Sequence, residues 1–416
     1  MKEISVWVLA GVPLVMVLGN SMLIPVLPSI KTYFGISSFQ AGLIITLFSV
    51  PAGLSIPFTG LLADRLGRRM ILVPALGLYA LGGLAAGVSY LLLDKGSFPY
   101  ILVCRVFQGI GAAGTAPIAM TLIGDFFGGK QRSRALGIME AANGTGKIIS
   151  PILGAAVGIL GWFYPFFVFP VFVIPVLLGI MFLVAEPGTR SQSVSLREYW
   201  KILKSASAQK GCTLASAFFA GMTALLLLFG LLFFLSEHIE TAMRIHGIRK
   251  GFLLAVPVAF MCATAYVTGR VIKRRVNLMP FVVAGGLLGL AVSLASFVLF
   301  HGTLFFFTGI SLAGIGTGLA LPCLNTLVTS SVGPNARGLI TAFYGGVRFL
   351  GVAAGPPLFA FLLSSSARFA FGVTAGLALA AAVSALLFIR GGVVTCSLRI
   401  KKSKGNHGKQ KGHTAS

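Results

Sequence analysis

Apolar runs of about 20 residues recur along this chain, each broken by a short polar or charged stretch. A helix needs roughly 20 apolar residues to cross the hydrocarbon core of a bilayer. Runs at approximately 6–28, 40–62, 71–93, 98–122, 135–158, 162–184, 211–235, 250–272, 279–300, 303–328, 339–363 and 367–390 approach or exceed that length. The pattern predicts twelve membrane-spanning helices and an all-α fold, since a helix satisfies its own backbone in lipid. The first run has no small-residue cleavage site behind a short apolar core, so it is read as a retained span.

The charges between the runs give an orientation. An even number of spans puts both termini on one side. Of the 33 Lys and Arg, 24 fall on that side and six on the other, leaving Arg105, Lys147 and Arg348 inside spans. This bias predicts that both termini are cytoplasmic. The longest break, 185–210, divides the chain into six-span halves, 1–184 and 211–390. Within it Ser195-Leu196-Arg197-Glu198 has the form of a capping box, and Leu196, Tyr199, Trp200 and Leu203 fall at helical spacing. It is either a short amphipathic helix on the membrane surface or a solvated linker with one helical turn. The tail, 391–416, is rich in Lys, Gly and Ser from Arg399 onward, and is expected to be disordered and drawn to anionic lipid.

The halves repeat. Gly42 and Gly60 are matched by Gly251 and Gly269 at an offset of 209. Gly109-Ile110-Gly111 with Pro117 is matched by Gly314-Ile315-Gly316 with Pro322, and Arg132 with Pro151 by Arg337 with Pro356, both at an offset of 205. Two parallel six-helix bundles around a central cavity follow.

Composition agrees: 56% of residues are hydrophobic, 10% charged, and the mean hydropathy is +0.94, whereas a soluble domain carries about 25% charge. The net charge of +24 would suit nucleic acid, but it clusters at span ends, so the expected polyanion is lipid and nucleic acid is excluded as a partner. The five cysteines show no metal spacing, and His407 and His413 stand apart, so neither a metal nor a cofactor is expected. No His/Asp constellation or nucleophile elbow points to an enzyme, and no soluble sensory domain to a receptor.

Three motifs carry a resemblance. Gly60-Leu61-Leu62-Ala63-Asp64-Arg65-Leu66-Gly67-Arg68-Arg69 resembles the loop between the second and third helices of the major facilitator superfamily of secondary transporters. Leu102 to Gly111, with Arg105, Gln108, Gly109 and Gly111, resembles that family's fourth-helix motif. In the fifth span, Gly137, Gly146, Ser150, Pro151 and Gly154 keep the frame of the drug:proton antiporter signature, with Ser150 and Ala155 replacing two of its glycines. Small residues at this rhythm permit a close helix crossing, and the proline bends the helix. The resemblance implies a monomeric twelve-helix transporter in a bacterial cell membrane, working by alternating access. Its charged loop (Gly60, Asp64, Arg65, Gly67, Arg68 and Arg69) would latch the cytoplasmic face, with Asp125 the expected partner of the arginines.

Charged and amide side chains inside spans are the candidates for chemistry, because such groups must find a partner, a cavity or the interface. Arg105 reads as a fixed positive charge that tunes a nearby carboxylate, or as a side chain snorkelling to a headgroup. Glu140, Asn143 and Lys147 share one helical face. Glu140 reads as the carboxylate inside a span and the natural proton carrier, or as a surface partner of Arg132 or Arg134. Asp125 is the second carboxylate considered for coupling. Arg348 occupies the repeat position of Asn143, and Asn20, Gln108 and Asn325 complete the cavity candidates. Trp162-Phe163-Tyr164 and Phe305 to Phe307 are expected either in the interfacial belt or as lipid-facing bulk, and Glu237, His238 and Glu240 are expected to be solvated at the outer mouth. The implied activity is export of small amphiphilic or anionic molecules in exchange for protons; proton-independent facilitation or symport is the alternative.

Overall fold

The computed structural model describes residues 2–186, 196–272, 275–299, 303–332 and 334–389. Ser195 of the expected capping box and the basic tail lie outside them. The described chain contains helices α1 (Lys2–Ser21), α2 (Leu27–Phe34), α3 (Ser38–Leu66), α4 (Arg68–Leu93), α5 (Phe98–Ala113), α6 (Ala116–Phe126), α7 (Gly129–Gly158) and α8 (Tyr164–Leu183). The second half follows with α9 (Leu196–Thr241), α10 (Gly247–Val271), α11 (Met279–Leu299), α12 (Thr303–Ser330), α13 (Pro334–Ser365) and α14 (Ala367–Phe388).

Among the described residues ten helical stretches are long and apolar enough to cross a membrane. One of them, Arg68–Phe126, holds two expected spans joined by the turn Asp94–Ser97. Helix α7 has the length but carries Glu140, Asn143 and Lys147. The ten are therefore consistent with twelve.

Local chemistry breaks three of the predicted runs. The first span ends its regular helix at Ser21; Pro25 and Pro28 then impose a tight turn over Ile24–Val26 before α2 resumes. The fourth is interrupted at Gly114–Thr115, ahead of Pro117, and continues as α6. The linker from Leu196 runs into the seventh span, with one non-helical residue, Lys210 (φ −134°, ψ 28°), marking the bend. The charged loop is also shorter than its sequence suggests. Asp64 and Arg65 lie on the last turn of α3, Arg68 and Arg69 open α4, and Gly67 alone turns the chain, at φ +116°.

The repeat has a physical basis. A side-chain carbon built on Gly109 in α5 would stand 2.1 Å from the carbonyl oxygen of Phe48 in α3. One built on Gly314 in α12 would stand 2.1 Å from that of Pro257 in α10, the equivalent contact in the other half. Both crossings need hydrogen in place of a side chain.

Two seams join the halves, α3 against α13 and α7 against α10. Glycines spaced by whole turns along each seam show how it tapers. A carbon built on Gly42 would lie 3.2 Å from Pro357, and one on Gly53 2.7 Å from the Gly346 oxygen, while at Gly60 nothing stands within 4 Å. Along the other seam, Gly251 meets Pro151 at 2.8 Å, Gly144 meets the Cys262 sulfur at 3.9 Å, and Gly137 and Gly269 meet nothing. The halves are shut at one end and parted at the end that carries the basic loops.

The aromatic runs meet expectation only in part, since Tyr164 and Phe305 are exposed but others are packed inside. Trp162 is buried against Tyr33, Phe34, Tyr90 and Phe163, and Tyr33 donates its hydroxyl hydrogen to Asp94. Phe306 packs on Phe297 and His238, while Phe305 is exposed. Rings that turn towards α2 and α9 gain more by packing together than by facing headgroups.

Candidate functional site

Helix α7 lines the parted side of the cleft with Glu140, Asn143 and Lys147. Glu140 is exposed and accepts a long bond, 3.5 Å, from Asn143 Nδ2. Lys147, half-buried, makes no hydrogen bond or ion pair among the described residues, yet lies within electrostatic range of Glu140 and Arg348. Arg348, on α13 in the opposite half, donates through Nη1 to Asn325 Oδ1 at 3.1 Å, and its Nε is buried without a partner. Its guanidinium stands 5.5 Å from the ring of Tyr344. Two cations from opposite halves thus face one cleft, with a single carboxylate beside them.

Arg105, Gln108 and Asn20 do not join this group. Arg105 is 0% exposed within the first half and donates to Gly19 O (2.9 Å), Ile44 O (3.0 Å) and Gln108 Oε1 (2.6 Å), with Asn20 Oδ1 at 3.5 Å. Its guanidinium lies 4.4 Å from the Phe48 ring. All these acceptors are neutral, so among the described residues Arg105 has no carboxylate at bonding distance. Nor does it snorkel. Deep burial of a charge holds only because several acceptors converge on it.

The basic end is held by a small charge network. Arg68 Nε lies 2.8 Å from Asp125 Oδ2 on α6, and its Nη2 lies 3.5 Å from Asp64 on α3. Glu186, beyond α8, accepts from the backbone N–H groups of Arg68 (2.7 Å) and Arg69 (2.8 Å). Gly67 has no side chain to cap α4, so this carboxylate caps it from a distant part of the chain, where a negative charge also suits the helix dipole. Sequence reasoning missed Glu186, because Glu186-Pro187-Gly188 signals only a break. Glu186→Ala is expected to destabilise the protein by about 1 kcal/mol, the usual cost of losing a cap, seen as a fall of a few degrees in Tm.

The antiporter-type frame packs α7 on α1. Carbons built on Gly146 and Gly154 would stand 3.2 Å and 2.0 Å from the carbonyl oxygens of Leu14 and Met22, whereas Gly137 is open. The hydroxyl of Ser150, where the signature has glycine, is buried without a partner.

The shut end corrects the reading of its acids as solvated. Helix α9 runs on to Thr241, so Glu237 and Glu240 point into contacts. Glu237 pairs with Lys31 and accepts from Ser38 Oγ (3.1 Å), both in the first half. Lys250, counted in sequence among the loop cations, is 2% exposed and holds Glu240 Oε2 at 2.5 Å and Pro25 O at 2.6 Å. His238 stacks on Phe234. Apolar-run counting ends a span where its first charge appears, and so hides charges that a partner helix neutralises.

A helical membrane fold of two matched halves, parted at one end around a charged cleft, suits a membrane transporter. The chain belongs to the Major Facilitator Superfamily, whose family model matches residues 9–356 and again 275–413. It is 41% identical over 360 residues to a protein of Bacillus subtilis (strain 168) named bacillibactin exporter, covering 86% of this chain and 89% of that relative. It is 26% identical over 361 residues to the multidrug efflux protein YfmO of the same organism, covering 85% and 84%. Among solved structures, a bacterial homologue of the human lysosomal transporter Spinster, inward-facing and occupied, superposes with a TM-score of 0.75 at 18% identity, over 93% of this chain and 96% of that one.

Proposed function

We propose that this protein exports an anionic or amphiphilic small molecule in exchange for protons, taking it from the cleft at the basic end, which faces the cytoplasm. The observation that carries this is the pair Lys147 and Arg348, cations of opposite halves with no carboxylate within ion-pair distance among the described residues. Cations held part-buried without counter-ions suit an anion that supplies the missing charge. The bacillibactin exporter makes bacillibactin itself the first cargo to test, and the efflux relatives support export over uptake. Glu140, exposed in the same cleft, is the proton carrier in this reading, and the Arg68 network with Asp64, Asp125 and Glu186 is the latch that must rearrange when the cytoplasmic end closes.

The test uses inverted vesicles with an imposed proton gradient. Adding bacillibactin or another cargo anion is expected to release protons from wild type, and Glu140→Gln is expected to lose that release while still binding cargo. Release that persists in the variant moves coupling to another carboxylate, Asp125 first. Cargo flux without proton movement in wild type leaves a facilitator.

A further inference from the structure

A helical carbonyl normally accepts the N–H four residues on, or three residues on in a tighter turn. Ala353 in α13 can accept neither, because those positions are Pro356 and Pro357. A buried carbonyl without a donor is costly, so a donor must come from elsewhere. It comes from the opposite half. Thr46 Oγ1 on α3 lies 2.7 Å from Ala353 O, nearer than the 3.3 Å to Gly42 O in its own helix. Gly42 permits the approach, since a side-chain carbon there would stand 3.2 to 3.3 Å from Pro356 and Pro357.

A related arrangement lies closer to the shut end. Ile24 O accepts the Leu27 N–H in the tight turn, but Pro28 has no N–H to add an α-type bond, and Ser236 Oγ on α9 donates to the same oxygen at 2.7 Å. It also occurs once away from the seams: Thr59 Oγ1 on α3 donates at 3.0 Å to Ala113 O in α5, four residues before Pro117. That third pair lies wholly within the first half.

We propose that Thr46 and Ser236 are state-dependent fasteners of the shut end. Each hydroxyl takes a bonding position that a proline leaves open on a carbonyl of the opposite half while this end is closed, and yields it to water when the end opens. An ordinary helical carbonyl is bonded within its own helix in both conformations and cannot distinguish them. A carbonyl that its own helix leaves a donor short can, because its added partner changes with the state. The prolines thereby turn backbone oxygens into switchable contacts that carry no net charge and are indifferent to salt, unlike the Lys31–Glu237 pair at the rim. The inference is independent of which molecule the cleft carries.

The test places spin labels at Lys95→Cys and Arg368→Cys, exposed positions at the shut end in opposite halves, in full-length protein with its five native cysteines replaced and reconstituted in lipid. Pulsed electron–electron distances then report the open-to-closed ratio at this end. Thr46→Val and Ser236→Ala are each expected to raise that ratio about fivefold, the effect of one net hydrogen bond, and the double variant about 25-fold. Thr59→Val, which removes a bond of the same kind inside one half, leaves the ratio unchanged. Pro357→Ala restores an N–H for Ala353, so Thr46→Val added to it changes the ratio by less than about twofold, a coupling that a double-mutant cycle isolates. The proposal is overturned if Thr46→Val and Ser236→Ala leave the distances unmoved, if Thr59→Val moves them equally, or if Thr46→Val keeps its full effect beside Pro357→Ala.

Discussion

A valine at Gly314 is expected to be as damaging as one at Gly109, with neither variant accumulating as folded transporter. In each case the new carbon would stand 2.1 Å from a backbone oxygen, Phe48 O for Gly109 and Pro257 O for Gly314. A flexible side chain can swing aside from such a contact, but a helix backbone cannot; the crossing itself must widen. Ordinary overpacking costs about 1–3 kcal/mol, and displacing a helix against its neighbour exceeds that, out of a total of about 5–15 kcal/mol. Small-residue crossings are also where membrane helices gain their packing energy, since lipid gives no hydrophobic drive between them. Detergent extraction followed by size-exclusion chromatography checks this: the monodisperse peak should fall more than about tenfold for both. Valine at Gly137 or Gly269, where the space is open in this conformation, should leave the peak near wild type. Those two variants should nonetheless transport poorly, because the same faces must meet when the parted end closes. A normal peak for Gly314→Val would break the equivalence of the halves.

That equivalence is legible in the sequence, and the reason is physical. Apolar length fixes the spans because the bilayer thickness does, and glycine spacing marks crossings because only glycine fits them. Hence Gly109, Gly314, Gly42 and Gly251 stood out in sequence and sit where helices meet, Gly109 and Gly314 at 2.1 Å from a backbone oxygen. Asp125 could be named as a partner of the loop arginines because it ends the fourth span on the same face of the membrane, and it pairs with Arg68. What stayed hidden were pairings between distant segments. Glu237 with Lys31, Lys250 with Pro25, and Glu186 at the start of α4 are each separated by more than a hundred residues, and no local pattern records them. Arg105 shows the converse. Its position inside a span was plain, but its neutral partners, Gly19, Ile44 and Gln108, could only be seen once α1 and α3 were packed around it. Pro356 was visible in sequence as the repeat partner of Pro151; that Pro356 and Pro357 together leave one carbonyl for Thr46 is a fact of three-dimensional register.

Removing the cleft cations should have the largest effect on transport. Lys147→Ala and Arg348→Ala are each expected to raise the KM for an anionic cargo by about 10- to 100-fold, the range for losing a charged hydrogen bond of about 1.5–3 kcal/mol. The double variant should fall to background. The two side chains come from opposite halves, α7 and α13, and their like charges repel across the cleft. An anion between them removes that repulsion and touches both halves at once, so its binding favours the state in which they approach. Neutralising either cation therefore acts twice, on affinity and on closure, and kcat should fall along with the rise in KM. Arg348 has a further requirement. Asn325 holds Nη1 and so sets the orientation of the guanidinium, so Asn325→Leu should weaken anion transport by a smaller factor and Arg348→Lys should not restore it, since an ammonium lacks the planar fork. Export of cationic dyes gives the control, because the same substitutions remove a repulsion there and should leave that export unchanged or raise it. If anion export survived both alanine substitutions while dye export fell, the cleft would be selecting cations, and the proposed cargo class would be wrong.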